Sequence, residues 1–421
     1  MSARRPASRT AGTAVHGRAL AHGRLLGVDL ARGAALLALM AVHLLPIMQP
    51  GPAGQPEPTW AGLVFSGRTS ALFGVLAGVS LSLGVPAAER RLGLALRGGV
   101  IAAVGLCLGT LHVGIAVVLV QFGALFCCVI PALRLRQRAL GLLASTWILL
   151  APIAAYLARP WLMVNGHPVQ LGHNPTWPDL ADPARLAADV FVNGSLPVLE
   201  CFAYLLVGLW LGRLPLRRAD LQAGLVLGGA AAAVLAKAAE WALMVPLGGR
   251  AALLATPQAS QWPLEAMLRV NLLGVQQTGS VWWLATAAPH SGTTLDLLHT
   301  SGTSAAVLGA FLLIARVRPL ERTGILLPLA GAGGMTLTLY TLHVWAVSWS
   351  EAGGTPALEQ AGLLAVHVVV VLAVGLLFRA NGWRGPLEWV THGAYRLGAR
   401  TRRPGIGQGS PRLSAQRQGP P

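Results

Sequence analysis

Apolar residues in this chain come in runs of about twenty, from residue 27 to residue 379. A helix needs about that many to cross the roughly 30 Å hydrocarbon core of a bilayer at 1.5 Å per residue. Ten runs approach this length: 27–47, 66–86, 93–112, 114–133, 138–157, 193–212, 221–247, 299–315, 323–349 and 358–379. The expected fold is all-α, a polytopic membrane protein with about ten transmembrane helices. The least regular points are the short 112–114 turn and the Gly-rich ninth run.

Charge supports this pattern. Alternate connections hold Arg90 and Arg91, then Arg134, Arg136 and Arg138, then Arg213, Arg217 and Arg218, then Arg316, Arg318 and Arg322. The opposite connections carry only Arg159 and Arg185 in one loop, and Arg250 and Arg269 in another. Basic connections face the cytoplasm. Both termini are therefore expected inside a plasma (inner) membrane, with loops 48–65, 158–192 and 248–298 outside. Residues 1–25 and 401–421 read as basic, disordered cytoplasmic tails around a single domain, 26–400; the first tail lacks the apolar core of a signal peptide. The two longer outer loops exceed what a compact bundle needs, and such loops are commonly functional or disordered. In the first, Trp161 and Trp177 stand near His167, His173 and Asn174, which suits stacking on a sugar or, more simply, anchoring at the interface. The apolar pieces of the second allow an interfacial or re-entrant helix.

The chain is 54% hydrophobic and 11% charged with a mean hydropathy of +0.59, in keeping with an integral membrane protein. Its net charge of +17 does not point to nucleic acid, because the arginines flank apolar runs instead of forming one patch. Lys237 is the only lysine, a bias typical of GC-rich bacterial genomes. Cys107, Cys127, Cys128 and Cys201 fall within apolar runs and read as small buried residues, not as a disulfide or zinc framework. No Walker loop, Rossmann fingerprint, G-x-S-x-G elbow or H-E-x-x-H occurs in a fitting context.

Candidate chemistry lies in the polar residues inside the runs. Arg32 and His43 are eleven residues apart, which on a helix places them within roughly 20° of each other and about 16 Å apart along the axis. Asp29 lies on the same side one turn below Arg32. Ionisable groups within a membrane helix are functional candidates, although Asp29 and Arg32 alone could simply pair at the boundary. In the ninth run Thr336, Tyr340 and His343 share a face, lining a substrate path or bonding between helices, and Gly331, Gly333 and Gly334 allow close approach or a break. Glu200 and Tyr204 are spaced i, i+4; Glu200 either pairs with a distant base such as Arg68 or is held neutral. Lys237 and Glu240 are expected to neutralise each other. His290, Asp296 and His299 match no zinc spacing, so no metal is expected. Thr300 or Ser301 is the expected N-cap of the eighth span, and His290 and His299 remain candidates for an outward-facing acceptor pocket.

Several segments carry a resemblance. RLLGVDLARGAALLALMAVH resembles the first helix of transmembrane acyltransferases, and Arg32 and His43 reproduce the Arg-(ten residues)-His spacing of acyltransferase family 3. FSGRTSALFGVLAGVSLSLG and GGMTLTLYTLHVW are similar to the heparan-α-glucosaminide N-acetyltransferase-like and YeiB-like families, and RGPLEWVTHGAYR resembles the YeiB-like closing segment. The resemblance implies transfer of an acyl group, most simply acetyl, from cytoplasmic acyl-CoA (acetyl-CoA as co-substrate, no bound cofactor) to an envelope glycan or lipid-linked sugar. It gives His43, Arg32 and Asp29 catalytic roles, and on that reading the other polar candidates, His343, Tyr340, His290, His299, Glu200 and Arg68, are expected to bind substrate. Membrane lipids are implied partners, and a homodimer is left open. In the heparan-modifying enzymes the reactive histidine usually lies in the first outer loop. That loop has no histidine here after His43, so either His43 takes the role or the reaction has been lost. A transporter or flippase for an envelope precursor is the competing class, and a non-catalytic scaffold is a third.

Overall fold

The computed structural model describes residues 25–83, 91–353 and 359–400; the expected tails, apart from Leu25, lie outside the described residues. The helices are α1 (Leu26–Leu44), α2 (Trp60–Phe65), α3 (Arg68–Leu83), α4 (Arg91–Gly109), α5 (Leu119–Cys128) and α6 (Gln137–Ala158). They continue with α7 (Pro183–Ala188), α8 (Val198–Leu211), α9 (Ala219–Met244), α10 (Gly249–Leu254), α11 (Pro257–Gln261) and α12 (Leu264–Val270). The last are α13 (Thr294–Ile314), α14 (Arg318–Thr323), α15 (Leu327–Gly334), α16 (Thr336–Glu351), α17 (Gln360–Ala380) and α18 (Pro386–Arg400). Two short antiparallel hairpins, β1 (Met48–Pro50) with β2 (Pro56–Pro58) and β3 (Met163–Val164) with β4 (His167–Pro168), are the only strands among the described residues.

The protein is an all-α polytopic membrane protein. Every expected span meets a helix, but fewer are long and straight than the apolar runs suggest. Among the described residues, seven helical segments are long and apolar enough to cross a membrane: α1, α2 with α3, α4, α6 with the turn after it, α9, α13 and α17. An eighth is formed if Pro183–Asn193 and α8, bent by 55° at Pro197, count as one span. The expected span 114–133 shortens to the ten residues of α5, and the expected 112–114 turn becomes the longer connection 110–118. Two side chains hold that connection out of the helix. The Val117 amide donates to Asn174 Oδ1 (2.8 Å) and the Gly114 amide to Glu351 Oε2 (3.1 Å).

The ninth span breaks at Met335 into α15 and α16. The eighth begins at Thr294, not 299, because Thr293 is its N-cap and accepts from the Asp296 amide at 3.2 Å. Thr300 and Ser301, the expected caps, are in the helix, where Thr300 Oγ1 donates back to the Asp296 carbonyl (2.6 Å). α18 is an addition to the expected ten and is strongly amphipathic.

Close helix contact rests on paired glycines, the usual device where lipid gives no hydrophobic drive between helices. A methyl group on Gly229 would strike the carbonyl of Gly302 across α9 and α13, and one on Gly333 would strike Asp29 across α15 and α1. Loop 248–298 folds over one end of the bundle around its own small core of Met244, Leu253, Leu264, Met267, Leu272, Val275 and Trp283. Its helices α10 to α12 have six, five and seven residues, too short to dip through a membrane. Cys201 is buried, but Cys107 and Cys127 are exposed on their helices, so the expectation of four buried thiols holds only in part; all four are free.

Candidate active site between the first and last helices

Three imidazoles meet inside the bundle. His43 Nδ1 of α1 lies 3.1 Å from His343 Nε2 of α16, with the rings stacked at 5.3 Å and 11°. His367 of α17 stands edge-to-face against His343 at 5.0 Å. α1 and α16 approach because Gly33 and Gly333 bring α1 and α15 into backbone contact just before the break at Met335. α17 is mostly exposed to its surroundings, and its buried positions are His367, Val371 and Gly375, a single i, i+4, i+8 stripe. Gly375 packs on Gly331 of α15, which keeps that stripe, and His367 with it, turned inward.

At the other end of α1, Asp29 is 3.7 Å from Arg32 and 3.6 Å from Arg379 of α17, while Arg32 Nη2 also donates to Ser80 Oγ. The expected Asp29–Arg32 pair is therefore one side of a triangle closed by a helix 350 residues later. Glu388 of α18 fixes the start of α16. It accepts from the backbone amides of Leu337 (2.7 Å) and Thr338 (3.2 Å) and from Thr338 Oγ1 (2.5 Å). An acid at a helix N-terminus satisfies free amides and the helix dipole, which gives the G-P-L-E-W segment a structural task.

A second polar region lies at the His43 end. Gly27 packs on Leu312, so α1 and α13 run antiparallel; His43 lies 16 residues above the first and Asp296 16 residues above the second. Both are thus about 24 Å up the bundle. Glu200 pairs with Arg159 at 2.6 Å, not with Arg68. Arg68 instead donates to the carbonyls of Leu63 (2.8 Å) and Ser66 (3.4 Å), closing the end of α2. Glu200 and His290 line a cleft with Arg159, Asn193 and Gln277, and a smaller adjoining hollow reaches Asp296. The cleft's free space is about 60 Å³, room for ordered water but not for a sugar ring.

Asp296 Oδ2 accepts from the Gly292 amide (3.1 Å), while Oδ1 is buried with no hydrogen-bond partner. Gly292 must be glycine, having a φ of +65° and lying against the Glu200 carboxylate. His290, in the loop before α13, adopts the left-handed φ of 63° that is uncommon for a non-glycine residue, and burial pushes its pKa down to about 4.

Several sequence candidates bond to backbone. Tyr340 donates to the Ala116 carbonyl (3.4 Å), and His299 Nδ1 lies 3.1 Å from the Ala233 carbonyl inside the α9–α13 contact. Lys237 and Glu240 pair at 2.8 Å as expected, and they also hold the capping loop. Lys237 donates to the Ala287 carbonyl (2.9 Å), and Glu240 accepts from the Ala287 amide (2.5 Å) and Thr286 Oγ1 (3.0 Å). In loop 158–192, His173 bonds Asp179 (3.0 Å), and Asn174 also donates to the Ile115 carbonyl (2.9 Å). For Asp179, burial opposes ionisation, but hydrogen bonds from Thr176 and His173 outweigh it and hold the carboxyl below its usual range. Among the described residues, no group of three or more His, Cys, Asp or Glu side chains has the arrangement of a metal site.

Sequence reasoning missed His367, Arg379 and Arg159. His367 had a usable signal, a lone imidazole within LLAVHVVVVLAVGLL. The other two arginines flank their runs and look like ordinary topology charges.

No curated protein matches the chain. The family described as heparan-α-glucosaminide N-acetyltransferase, catalytic, matches residues 24–247, more than half of the chain. The match spans α1 to α9 and includes Asp29, Arg32, His43, Arg68 and Glu200, while His343 and His367 lie beyond it. On that match, the chain belongs to the heparan-α-glucosaminide N-acetyltransferase catalytic family.

Proposed function

We propose that the protein transfers an acetyl group from cytoplasmic acetyl-CoA to an amine or hydroxyl of an envelope glycan or lipid-linked sugar at the opposite face of the plasma membrane. The observation that carries this reading is the His43–His343 contact at 3.1 Å, set about 16 Å along α1 from the Asp29–Arg32–Arg379 triangle. On the topology argued from charge, the triangle marks the cytoplasmic mouth and the imidazoles the outer third of the bundle. Reporter fusions after Arg138 and Arg218 should read cytoplasmic, and a fusion at Gly172 external.

His43 is the general base, since a near-neutral imidazole suits removal of a proton from a nucleophile. The acceptor nitrogen or oxygen attacks the thioester carbonyl, a C–N or C–O bond forms and the C–S bond breaks. The proton lost by the acceptor passes to His43 Nε2 and then to the leaving thiolate. Arg32 and Arg379 hold Asp29 in place and face the phosphates of the donor with their charge. Glu200, Asp296 and His290 offer the acceptor two carboxylates and an imidazole, the buried Asp296 Oδ1 having no other partner. The acceptor enters once one of the wall loops, 158–192 or 248–298, moves aside, because the cleft as it stands is too small for a sugar ring.

The test is purified protein in detergent or liposomes with radiolabelled acetyl-CoA and hexosamine acceptors. Label should move to the sugar, and His43→Ala should abolish it. The break at Met335 and the 55° bend before α8 favour a second reading, a transporter, because discontinuous helices recur at transport sites. Sugar uptake into proteoliposomes with no acetylated product would select it.

A further inference from the structure

Building on the acyl-transfer reading, we propose that His367 is a positioning residue that sets the tautomer of His43 through His343. His367 Nδ1 lies 2.8 Å from the carbonyl of Leu363, one turn earlier in α17. A carbonyl only accepts, so this nitrogen carries the hydrogen, and Nε2 is left as a lone pair. That Nε2 is buried and has no hydrogen-bond partner. His343 Nδ1, on the neighbouring ring 5.0 Å away, is likewise buried and has none.

A buried acceptor beside a buried unpartnered nitrogen favours the tautomer that puts a donor there. His343 then carries its hydrogen on Nδ1, and its Nε2 is a lone pair facing His43 Nδ1. His43 must in turn place its hydrogen on Nδ1, which leaves Nε2 free to take a proton. One backbone carbonyl in α17 thereby orients three rings, each with Nδ1–H toward the next acceptor. A slight rotation of His343, or one bridging water, completes the link between the second and third rings.

The direction of the chain also gives the proton a place to go. When the acceptor's proton reaches His43 Nε2, the Nδ1 hydrogen shifts to His343 Nε2 and the His343 Nδ1 hydrogen to His367 Nε2. The positive charge then rests on His367. When the thioester collapses the shifts reverse, and His43 Nε2 returns one proton to the departing thiolate, leaving all three rings as they began.

Besides the three rings, the ionisable residues on the packed helices are Asp29 and Arg32 on α1, Tyr340 and Glu351 on α16, Arg379 on α17, Arg68 on α3, and Asp296 and His299 on α13. α4 adds Arg91, Arg97 and Cys107, and α18 adds Glu388, His392, Tyr395, Arg396 and Arg400.

His367→Phe keeps an aromatic ring of similar size, and His367→Gln keeps an acceptor that cannot titrate. The proposal expects kcat to fall at least about tenfold in the Phe variant and less in the Gln variant. KM for both substrates should stay within about twofold, and the pH–rate profile should change shape in both. A Phe variant with the parent kcat and pH profile would overturn it. ¹⁵N spectra of histidine-labelled protein give a second reading that needs no turnover. In the parent, His43 should show a protonated Nδ1 and an unprotonated Nε2, and His367→Phe should yield a mixture of the two tautomers. A packing role would leave the His43 ring shifts alone. Absence of acetyl transfer in the parent protein refutes the acyl-transfer reading, whereas unchanged His43 tautomers refute the relay whatever the activity.

Discussion

The imidazole cluster and the charged pairs of the same bundle use their polar atoms in opposite ways. Lys237 and Glu240 direct theirs to the backbone and side chains of the capping loop, and Glu388 gives both carboxylate oxygens to the start of α16. Arg68 and Asn174 likewise end on backbone. His43, His343 and His367 make one backbone bond between them, and two of their buried nitrogens have no partner. Charge in this protein mostly fastens segments to one another. The rings keep unused hydrogen-bonding capacity, and that is what proton transfer requires.

The sharpest way to break this contrast is at His43. His43→Gln should lower acetyl transfer by roughly 10²–10⁴-fold, the usual loss for a general base, with thermal stability close to the parent. A large fall in melting temperature with normal transfer per folded molecule would place His43 among the fasteners. Glu240→Gln should do the reverse. Leaving Lys237 without its partner should cost about 2 kcal/mol, less than a fully buried pair because both groups are partly exposed. Proteolysis near 281–288 should then accelerate, while turnover per folded molecule is retained. Glu388→Ala removes a cap, so about 1–2 kcal/mol is expected by thermal unfolding, together with a smaller loss of transfer as His343 loses register. Equal stability in that variant would mean that α16 starts without help from α18.

The smallest effect concerns His290. Its pKa is depressed to about 4 in the folded protein, against about 6.5 when unfolded. The unfolded chain binds a proton first on acidification, so the stability this neutral ring permits is whole above pH 6.5 and is lost as pH falls toward 4. His290→Asn, which tolerates the left-handed backbone, should flatten that part of the pH–stability curve. Superimposable curves would show that the ring is hydrated in solution.

The bilayer made much of the fold legible in the sequence. Length and apolarity locate each spanning helix, and the Arg32-to-His43 spacing places both on one face before any contact is known. What the sequence hides is where backbone outside the helices finds its partners. The runs around residues 114 and 193 are apolar enough to continue as helices, yet Asn174, Glu351 and Pro197 draw them out or bend them. The helix start at Thr293 was likewise masked by a second set of hydroxyls at Thr300 and Ser301. Of the site, His43 and His343 were visible because each lies on a helix face with other polar residues. His367 has no polar neighbour within one helical turn on either side, so its role emerges only when α17 packs against α16.

The triangle at the foot of α1 has a consequence for biosynthesis. Asp29 and Arg32 enter the membrane with the first helix, but Arg379 is synthesised 350 residues later. At about 5–20 residues per second, the first helix waits roughly 20–70 s for its last counter-charge and for α15, its principal packing partner. During that interval it is half-built and exposed to membrane quality control. A nascent chain interrupted before α17 therefore holds His43 and His343 without His367, and Asp29 and Arg32 without Arg379.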